Sequence, residues 1–253
     1  MIDCIGSIPV SQARGFGYSE INTTSWPYGV MVSSSLLPAV SSEDKFLENF
    51  VPLWNIYQGW LRSLTVASFL GLGPESRLAR VPSWAYLLPW SERSPAEMVK
   101  WLPPRIRRNR AANGNQMPRW LNNRKIMELD SLSSAKSHGH QFFQLCQSIV
   151  EEGLWSHCNN DDPFKVWLLE DGNDWRWITY SGNHRIAAVA ALGVSEVHAE
   201  SQGKVLRSQV ETWANVANGW FTQQEALTVF DNLFQGKMLE VTENLLEDFH
   251  LQR

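Results

Sequence analysis

The feature that most constrains the fold is a pair of apolar segments around a tight turn, followed by a glycine turn and an alanine-rich segment. Phe164–Leu169 and Trp175–Tyr180 are the apolar segments, and Glu170–Asp174 between them carries the Gly, Asn and Asp residues that turns favour. This pattern predicts a β-hairpin. After the turn at Ser181-Gly182, the spacing predicts a helix that ends near Leu192.

Further helices and strands are predicted on both sides of this hairpin. Upstream, apolar residues recur at the spacing of one helical face. They are Phe142, Leu145, Cys146, Ile149 and Val150. Downstream, a strand is predicted over Glu196–Glu200, a capping box at Thr222 and Glu225 opens a helix, and a last helix covers about Leu239–Phe249. The mixture predicts an α+β protein.

The first 124 residues are rich in tryptophan, proline, serine and glycine. Many of the 13 tryptophans of the chain stand beside Pro or Gly, which favours aromatic anchors for irregular loops over an exposed sugar- or base-stacking surface. A helix is predicted from Glu43 to an interruption at Pro52, and a second piece follows to about Leu70. Ser94 and Glu97 predict another helix start, and Pro103-Pro104 predicts its end.

Charge and cysteine content limit the class of protein. The net charge of −4 gives no overall attraction to nucleic acid or to anionic membranes. The cysteines, Cys4, Cys146 and Cys158, have no CxxC spacing, which favours a reducing compartment. We find no signal-peptide pattern and no apolar run long enough for a membrane span. These observations predict a cytoplasmic protein without a membrane partner.

The segment Ser181-Gly182-Asn183-His184-Arg185 predicts an anion site. It lies between a predicted strand and a predicted helix, and the start of a helix offers unpaired N–H groups and a partial positive charge. Gly182 allows close backbone approach, while His184 and Arg185 add side-chain donors. Phosphate is the usual occupant of such a site. A plain strand-to-helix turn with solvated side chains is the alternative.

Two segments resemble the ParB/sulfiredoxin-like superfamily. Gln144–Leu154 is similar to that family's "LxxSIxExGL" helix, and Ser181–Ala188 with Leu192-Gly193 is similar to its "GxxRxxAA…LG" signature, in the G-x-H-R variant. The resemblance covers about residues 126–206 and implies a mixed sheet with packed helices. It divides the chain into a Trp/Pro-rich region (1–124), a ParB/sulfiredoxin-like core (125–207) and a C-terminal helical extension (208–253).

The resemblance also implies nucleotide binding, with ATP or CTP and Mg²⁺ as ligands and phosphates held by residues 181–185. The expected activity is that of a phosphotransferase or NTPase acting on a small molecule. Sulfiredoxins have their catalytic cysteine where this chain has Asn183, which supplies no thiolate. Related serine kinases have a carboxylate where this chain has Ser181, so a general base must come from elsewhere. The candidates are Glu128, Asp130 and Asp171.

Two other functions compete with this interpretation. From Met98 to Met127 the chain has basic residues and no acidic ones, which suggests a nucleic-acid-binding regulator or a solvated loop. The basic residues are Lys100, Arg105, Arg107, Arg108, Arg110, Arg119, Arg124 and Lys125. The other alternative is a catalytically silent accessory module of a biosynthetic pathway, such as a surface-polysaccharide pathway.

The histidines near the predicted helix do not have the spacing of a metal-binding motif. His138 and His140 precede the apolar stripe, and His157 and Cys158 follow it, at a spacing that fits no common zinc motif. We therefore predict no metal-ligand set among them. An alternative is that His138 or His140, in a turn before the helix, faces the nucleotide site.

Overall fold

A computed structural model describes residues 4–15, 20–36, 42–112, 135–152 and 163–251. These residues form helices packed on a five-stranded mixed sheet with strand order β1-β5-β3-β4-β2. The strands are β1 (Cys4–Pro9), β2 (Ala13–Arg14), β3 (Phe164–Asp171), β4 (Asp174–Thr179) and β5 (Glu196–Leu206). The α+β class predicted from the sequence is confirmed.

The centre of the sheet is the predicted hairpin. β3 and β4 pair antiparallel, with Asp171 opposite Asp174 across the turn, and β5 runs parallel to β3 on its other side. Strand alternation sends Val166 and Trp177 into one apolar cluster and Leu169 and Ile178 into another. The sheet is therefore covered by apolar packing on both faces.

Both edges of the sheet come from the N-terminal region. β1 pairs antiparallel with β5, and β2 pairs parallel with β4 through Ala13 and Trp177. Trp177 also donates a hydrogen bond from Nε1 to the carbonyl oxygen of Pro9, at 2.9 Å. The predicted boundary near residue 125 lies outside the described residues. Residues 4–14 nevertheless share one sheet with residues 164–206.

Helices lie on both faces of the sheet. Their bounds are α1 (Pro27–Leu36), α2 (Glu43–Ser63), α3 (Val66–Phe69), α4 (Pro95–Ala112), α5 (Ala135–Glu152), α6 (Asn183–Ala191), α7 (Ala214–Ala217), α8 (Gln223–Gln235) and α9 (Glu240–Leu251). Side chains of α1, α2, α5, α6 and α9 fill the first apolar cluster, and α3 and α8 contribute to the second. Within the described ranges, no helix has the length and apolar character that a membrane crossing needs.

The prolines do not end the helices as predicted. Pro52 lies inside α2, and Pro103 and Pro104 lie inside α4. Pro52 is exposed, so water can hydrate the carbonyl that loses its helical hydrogen bond, a defect that costs about 3 kcal/mol. The apolar stripe of α2 continues across it through Phe50 and Leu53, both buried. Burial of such side chains, about 1.5–3 kcal/mol each, outweighs the proline.

The predicted capping signals are confirmed. At α4, the Ser94 N–H donates to the Glu97 carboxylate (2.6 Å) and the Glu97 N–H donates to Ser94 Oγ (3.3 Å). Thr222 and Glu225 form the same reciprocal pair at α8. These signals depend on residues three positions apart, which is why the sequence reveals them.

The apolar stripe predicted upstream of the hairpin lies on α5. Phe142, Cys146 and Ile149 are buried, as predicted, whereas Val150 at the end of the stripe is 60% exposed. His138 and His140 lie within α5 and not in a turn before it. The helix therefore begins earlier than the stripe indicated.

Candidate functional site

The predicted anion turn connects β4 to α6. Gly182 caps the helix in the left-handed conformation, with φ 97° and ψ 28°, which L side chains rarely adopt. The first helical hydrogen bond runs from the Ile186 N–H to the Gly182 carbonyl at 3.0 Å. The N–H groups of Asn183, His184 and Arg185 therefore lie outside the helical ladder at the positive end of α6.

The side chain of Asn183 is held in place at this turn. Thr179, the last residue of β4, donates from Oγ1 to Asn183 Oδ1 at 2.6 Å. This bond uses the amide oxygen, so the Asn183 side chain would contact an anion through its amide NH₂. Ser181 beside it is exposed and carries a hydroxyl. Both groups suit an anion that accepts several hydrogen bonds.

Arg185 is positioned at the turn by an aromatic ring. Its guanidinium carbon lies 4.3 Å from the centre of the Phe164 ring, and Nη2 donates to the Pro163 carbonyl at 3.3 Å. A side chain at position 182 would contact this guanidinium, since an added Cβ would lie 3.7 Å from Nη2. The absence of a side chain at Gly182 therefore keeps the space beside Arg185 open.

His184 is placed differently from the sequence prediction. Its ring packs against Phe142 at 4.6 Å and His138 at 5.1 Å between ring centres, inside the helical layer. Burial lowers the pKa of His184, so the ring is neutral near pH 7. It therefore offers an anion no positive charge. The charged donor among residues 181–185 is Arg185.

His138 lies behind His184 in an aromatic cluster. Its ring stacks on Trp54 at 4.4 Å, and burial together with the neighbouring His184 lowers the pKa of His138 to about 4. Gly139 allows this approach, because a Cβ there would lie 2.5 Å from Leu47 on α2. His138 Nδ1 and Trp54 Nε1 are buried without a partner among the described residues.

Replacing His138 by phenylalanine is expected to reduce the loss of stability in acid. The unfolded ring has a pKa near 6.5 and the folded ring one of about 4, so the unfolded state takes up the proton first as pH falls. Between pH 7.5 and pH 5 this linkage removes about 2 kcal/mol from the free energy of unfolding. Urea unfolding of wild type and His138→Phe at both pH values measures the difference.

The control for this prediction is Gln141→Phe, three residues along α5. Gln141 is exposed and does not titrate, so its substitution should leave the pH dependence as in wild type. If His138→Phe and wild type lose equal stability between pH 7.5 and pH 5, the buried neutral state of His138 is wrong.

Of the candidate bases, the structure describes Asp171, which it places far from the turn. Asp171 ends β3, and its partner Asp174 lies the whole length of β4 before Tyr180, a distance of about 20 Å along the strand. Its carboxylate lies 3.8 Å from Arg207. Asp171 therefore does not reach a ligand at Gly182. Glu128 and Asp130 lie outside the described residues.

The histidines and the cysteine that the sequence analysis considered as metal ligands are only partly described. His157 and Cys158 lie outside the described ranges, while His138 and His140 are on α5 with different neighbours. No group of three or more potential metal ligands occurs among the residues that the structure describes. Burial raises the pKa of Cys146 to about 12, so this thiol is protonated at neutral pH.

A cleft of about 400 Å³ lies at the opposite end of α6. Its lining includes Val10, Ile21 and Val194, and its charged lining residue is Glu196. The carboxylate and the negative end of the helix both disfavour phosphate here. An anionic ligand therefore suits the Gly182 end of α6 and not this cleft.

Sequence reasoning missed the groups that surround the turn. Pro163 and Phe164 orient Arg185, and Tyr180, directly before the turn, is 62% exposed. Phe164 was visible only as a strand residue, because its contact with Arg185 crosses from β3 to α6. Tyr180 directly follows β4, and nothing in its local sequence indicates whether this end of the strand is covered.

Comparison of the chain with models of known protein families, with curated proteins and with solved structures finds no match. The resemblance to ParB/sulfiredoxin-like proteins therefore stays a prediction. The α+β class with a mixed sheet rests on the structure itself.

Proposed function

We propose that this protein binds a nucleotide, with its phosphates at the turn formed by residues 181–185. The observation that carries the proposal is Gly182 in the left-handed conformation at the start of α6, with Arg185 oriented beside it by Phe164. Main-chain N–H groups, the Asn183 amide and one guanidinium together match the acceptors of a phosphate. The resemblance described above adds ATP or CTP with Mg²⁺ as the expected ligand.

Tyr180 supports a nucleotide over a simpler phosphorylated ligand. Its ring is exposed two residues before Gly182, and its N–H donates to the Lys165 carbonyl at 2.7 Å. Tyr180 and the exposed Lys165 are therefore cross-strand neighbours on one face of the sheet. An exposed aromatic ring can stack on a base, which contributes about 1–3 kcal/mol, and the ammonium adds a charge for phosphate.

The proposed chemistry beyond binding is transfer or hydrolysis of a phosphoryl group. Such a step is catalysed mainly by positioning and by charge stabilisation, for which Arg185 and the N–H groups are suited. Asp171 is remote from the turn, so Glu128 and Asp130 are the candidate bases to test. Release of inorganic phosphate from ATP or CTP, measured with and without Glu128→Gln and Asp130→Asn, separates an enzyme from a silent binding module.

Arg185→Ala is expected to weaken nucleotide binding at least tenfold, because it removes the one charged donor of the turn. Thermal unfolding with ATP, ADP, CTP and GTP plus Mg²⁺ gives the first measurement. A ligand at 100 times its Kd stabilises the folded state by about 2.7 kcal/mol, so binding is visible. Calorimetric titration of the folded variant then gives the Kd.

The matched control is Arg77→Ala. Arg77 also stacks on an aromatic ring, Trp220 at 4.3 Å, but lies in a different part of the fold. It should bind nucleotide as wild type does. The proposal is overturned if no nucleotide stabilises the wild-type protein, or if Arg185→Ala and Arg77→Ala bind equally well.

A further inference from the structure

The basic segment that begins at Met98 starts as a helix. α4 extends through Pro103 and Pro104 to Ala112, so Lys100, Arg105 and Arg108 lie on a regular scaffold. All three are exposed, whereas Pro103 is buried against the body of the protein. The helix therefore presents a basic surface on one side only.

Two arginines converge on one tryptophan of this helix. The guanidinium carbons of Arg93 and Arg105 lie 4.3 Å and 4.6 Å from the centre of the Trp101 ring. Arg105 is one helical turn after Trp101, whereas Arg93 precedes α4. Stacking on the indole holds both cations by cation–π attraction and restricts their rotamers.

The backbone that carries Arg93 is also held in place. The buried side chain of Asn215, on α7, donates from Nδ2 to the Arg93 carbonyl at 2.9 Å. Arg93 is thus anchored by the main chain on one side and by Trp101 on the other. Binding a ligand would cost these side chains less conformational entropy than it would cost freely rotating arginines.

The electrostatics favour an anion on this surface. The two distances to one ring place the guanidinium carbons at most about 9 Å apart, where like charges repel each other. From Met98 to Ala112 the chain contains no acidic residue. Hydrogen bonds from Ser94, and then the charges of Arg93 and Lys100, lower the pKa of Glu97 at the start of α4, so this carboxylate offsets part of the positive charge. A bound phosphate would relieve the repulsion between the guanidinium groups.

We propose that Arg93, Trp101 and the exposed basic residues of α4 form a binding surface for single-stranded nucleic acid. Along the axis of α4, Lys100 and Arg105 lie about 7.5 Å apart, and Arg105 and Arg108 lie about 4.5 Å apart. At these spacings the basic side chains can contact successive phosphates of a strand. A single strand can lie along the exposed side of α4. The guanidinium planes held on Trp101 offer surfaces on which unpaired bases can stack, whereas a duplex keeps its bases paired and stacked on one another.

This surface is independent of the nucleotide turn. It consists of residues 93–108, whereas the turn consists of residues 181–185 and their contacts with Pro163 and Phe164. Loss of strand binding with nucleotide binding intact, or the reverse, therefore distinguishes the two proposals.

Fluorescence anisotropy of the full chain with labelled dT20 and rU20 tests the surface. At 50 mM salt we expect binding in the micromolar range, and four phosphate contacts predict a slope of log K against log salt of about −3. Arg93→Glu/Arg105→Glu should weaken binding at least tenfold and reduce the slope. Trp101→Leu should weaken it several-fold, because both guanidiniums lose the ring on which they stack.

Two further variants separate an effect at this surface from a general effect of changing charge or of unfolding. Arg77→Glu reverses an exposed, ring-stacked arginine elsewhere and should change the affinity less than twofold. If the double reversal variant is unfolded, Arg93→Gln/Arg105→Gln, which removes charge without reversing it, takes its place. The proposal is overturned if wild type does not bind the strands at 50 mM salt or if Arg77→Glu is as damaging as the double variant. Tighter binding to a duplex of equal length, or equal binding to heparin, also overturns it.

Discussion

Asn215→Ala is expected to lower the free energy of unfolding by about 3 kcal/mol, because it breaks a buried hydrogen-bond network. Asn215 is 0% exposed. Its Nδ2 donates to the carbonyls of Leu88, Ser91 and Arg93, at 3.3, 2.9 and 2.9 Å. Its main-chain N–H donates to the Pro89 carbonyl at 2.9 Å. One side chain thus holds the segment that leads into α4.

The measurement is urea unfolding, followed by tryptophan fluorescence. Asn218→Ala is the matched control, since Asn218 follows the same short helix, is exposed, and should cost less than about 0.5 kcal/mol. Asn215→Ala should also shift the tryptophan signal of the folded state, because Trp90 and Trp213 pack edge to face at 5.2 Å beside this segment. A loss below 1 kcal/mol would show that the network is not needed for stability.

Gly29→Ala is expected to destabilise the protein by about 3 kcal/mol, although alanine is the better helix former. Gly29 is buried in α1, and an added Cβ would clash with the main-chain carbonyl of Asn22. That carbonyl cannot move easily, because Asn22 Oδ1 accepts hydrogen bonds from the N–H groups of Thr24 (2.9 Å) and Ser25 (2.7 Å). The overpacking cost exceeds the gain in helix propensity of about 1 kcal/mol.

Gly59→Ala is the control, and it should change the free energy of unfolding in the opposite direction. Gly59 lies inside α2, is exposed, and has no atom within 4 Å of an added Cβ. The substitution should therefore raise the free energy of unfolding by about 0.5–1 kcal/mol. Thermal and urea unfolding of the two variants show whether each substitution raises or lowers the free energy of unfolding. Stabilisation by Gly29→Ala would contradict the close contact between α1 and the Asn22 turn.

The features that the sequence predicted correctly depend on residues close together in the chain. The hairpin of β3 and β4 follows from two apolar runs around a turn, and the starts of α4 and α8 follow from capping pairs three residues apart. The glycine turn at the start of α6 is of the same kind. Local propensity and hydrogen-bonding rules act over these short separations, so one sequence suffices.

The predictions that were wrong involve burial against distant residues. Pro52, Pro103 and Pro104 were expected to break or end helices, but α2 and α4 continue through them. The strands β1 and β2 are short, and pairing with β5 and β4 stabilises them. No local sequence pattern indicates which strands β1 and β2 pair with, because the partner strands lie more than 150 residues away in the chain.

The sequence by itself determined the α+β class, the hairpin, the capped starts of α4 and α8, and the position of the Gly182 turn. Only the tertiary structure decided what each side chain does at that turn. It set Arg185 against Phe164, and it turned His184 toward His138 and Phe142, where burial keeps the ring neutral. The physical reason is that charge state and orientation depend on the neighbours in space, and these come from α5 and β3.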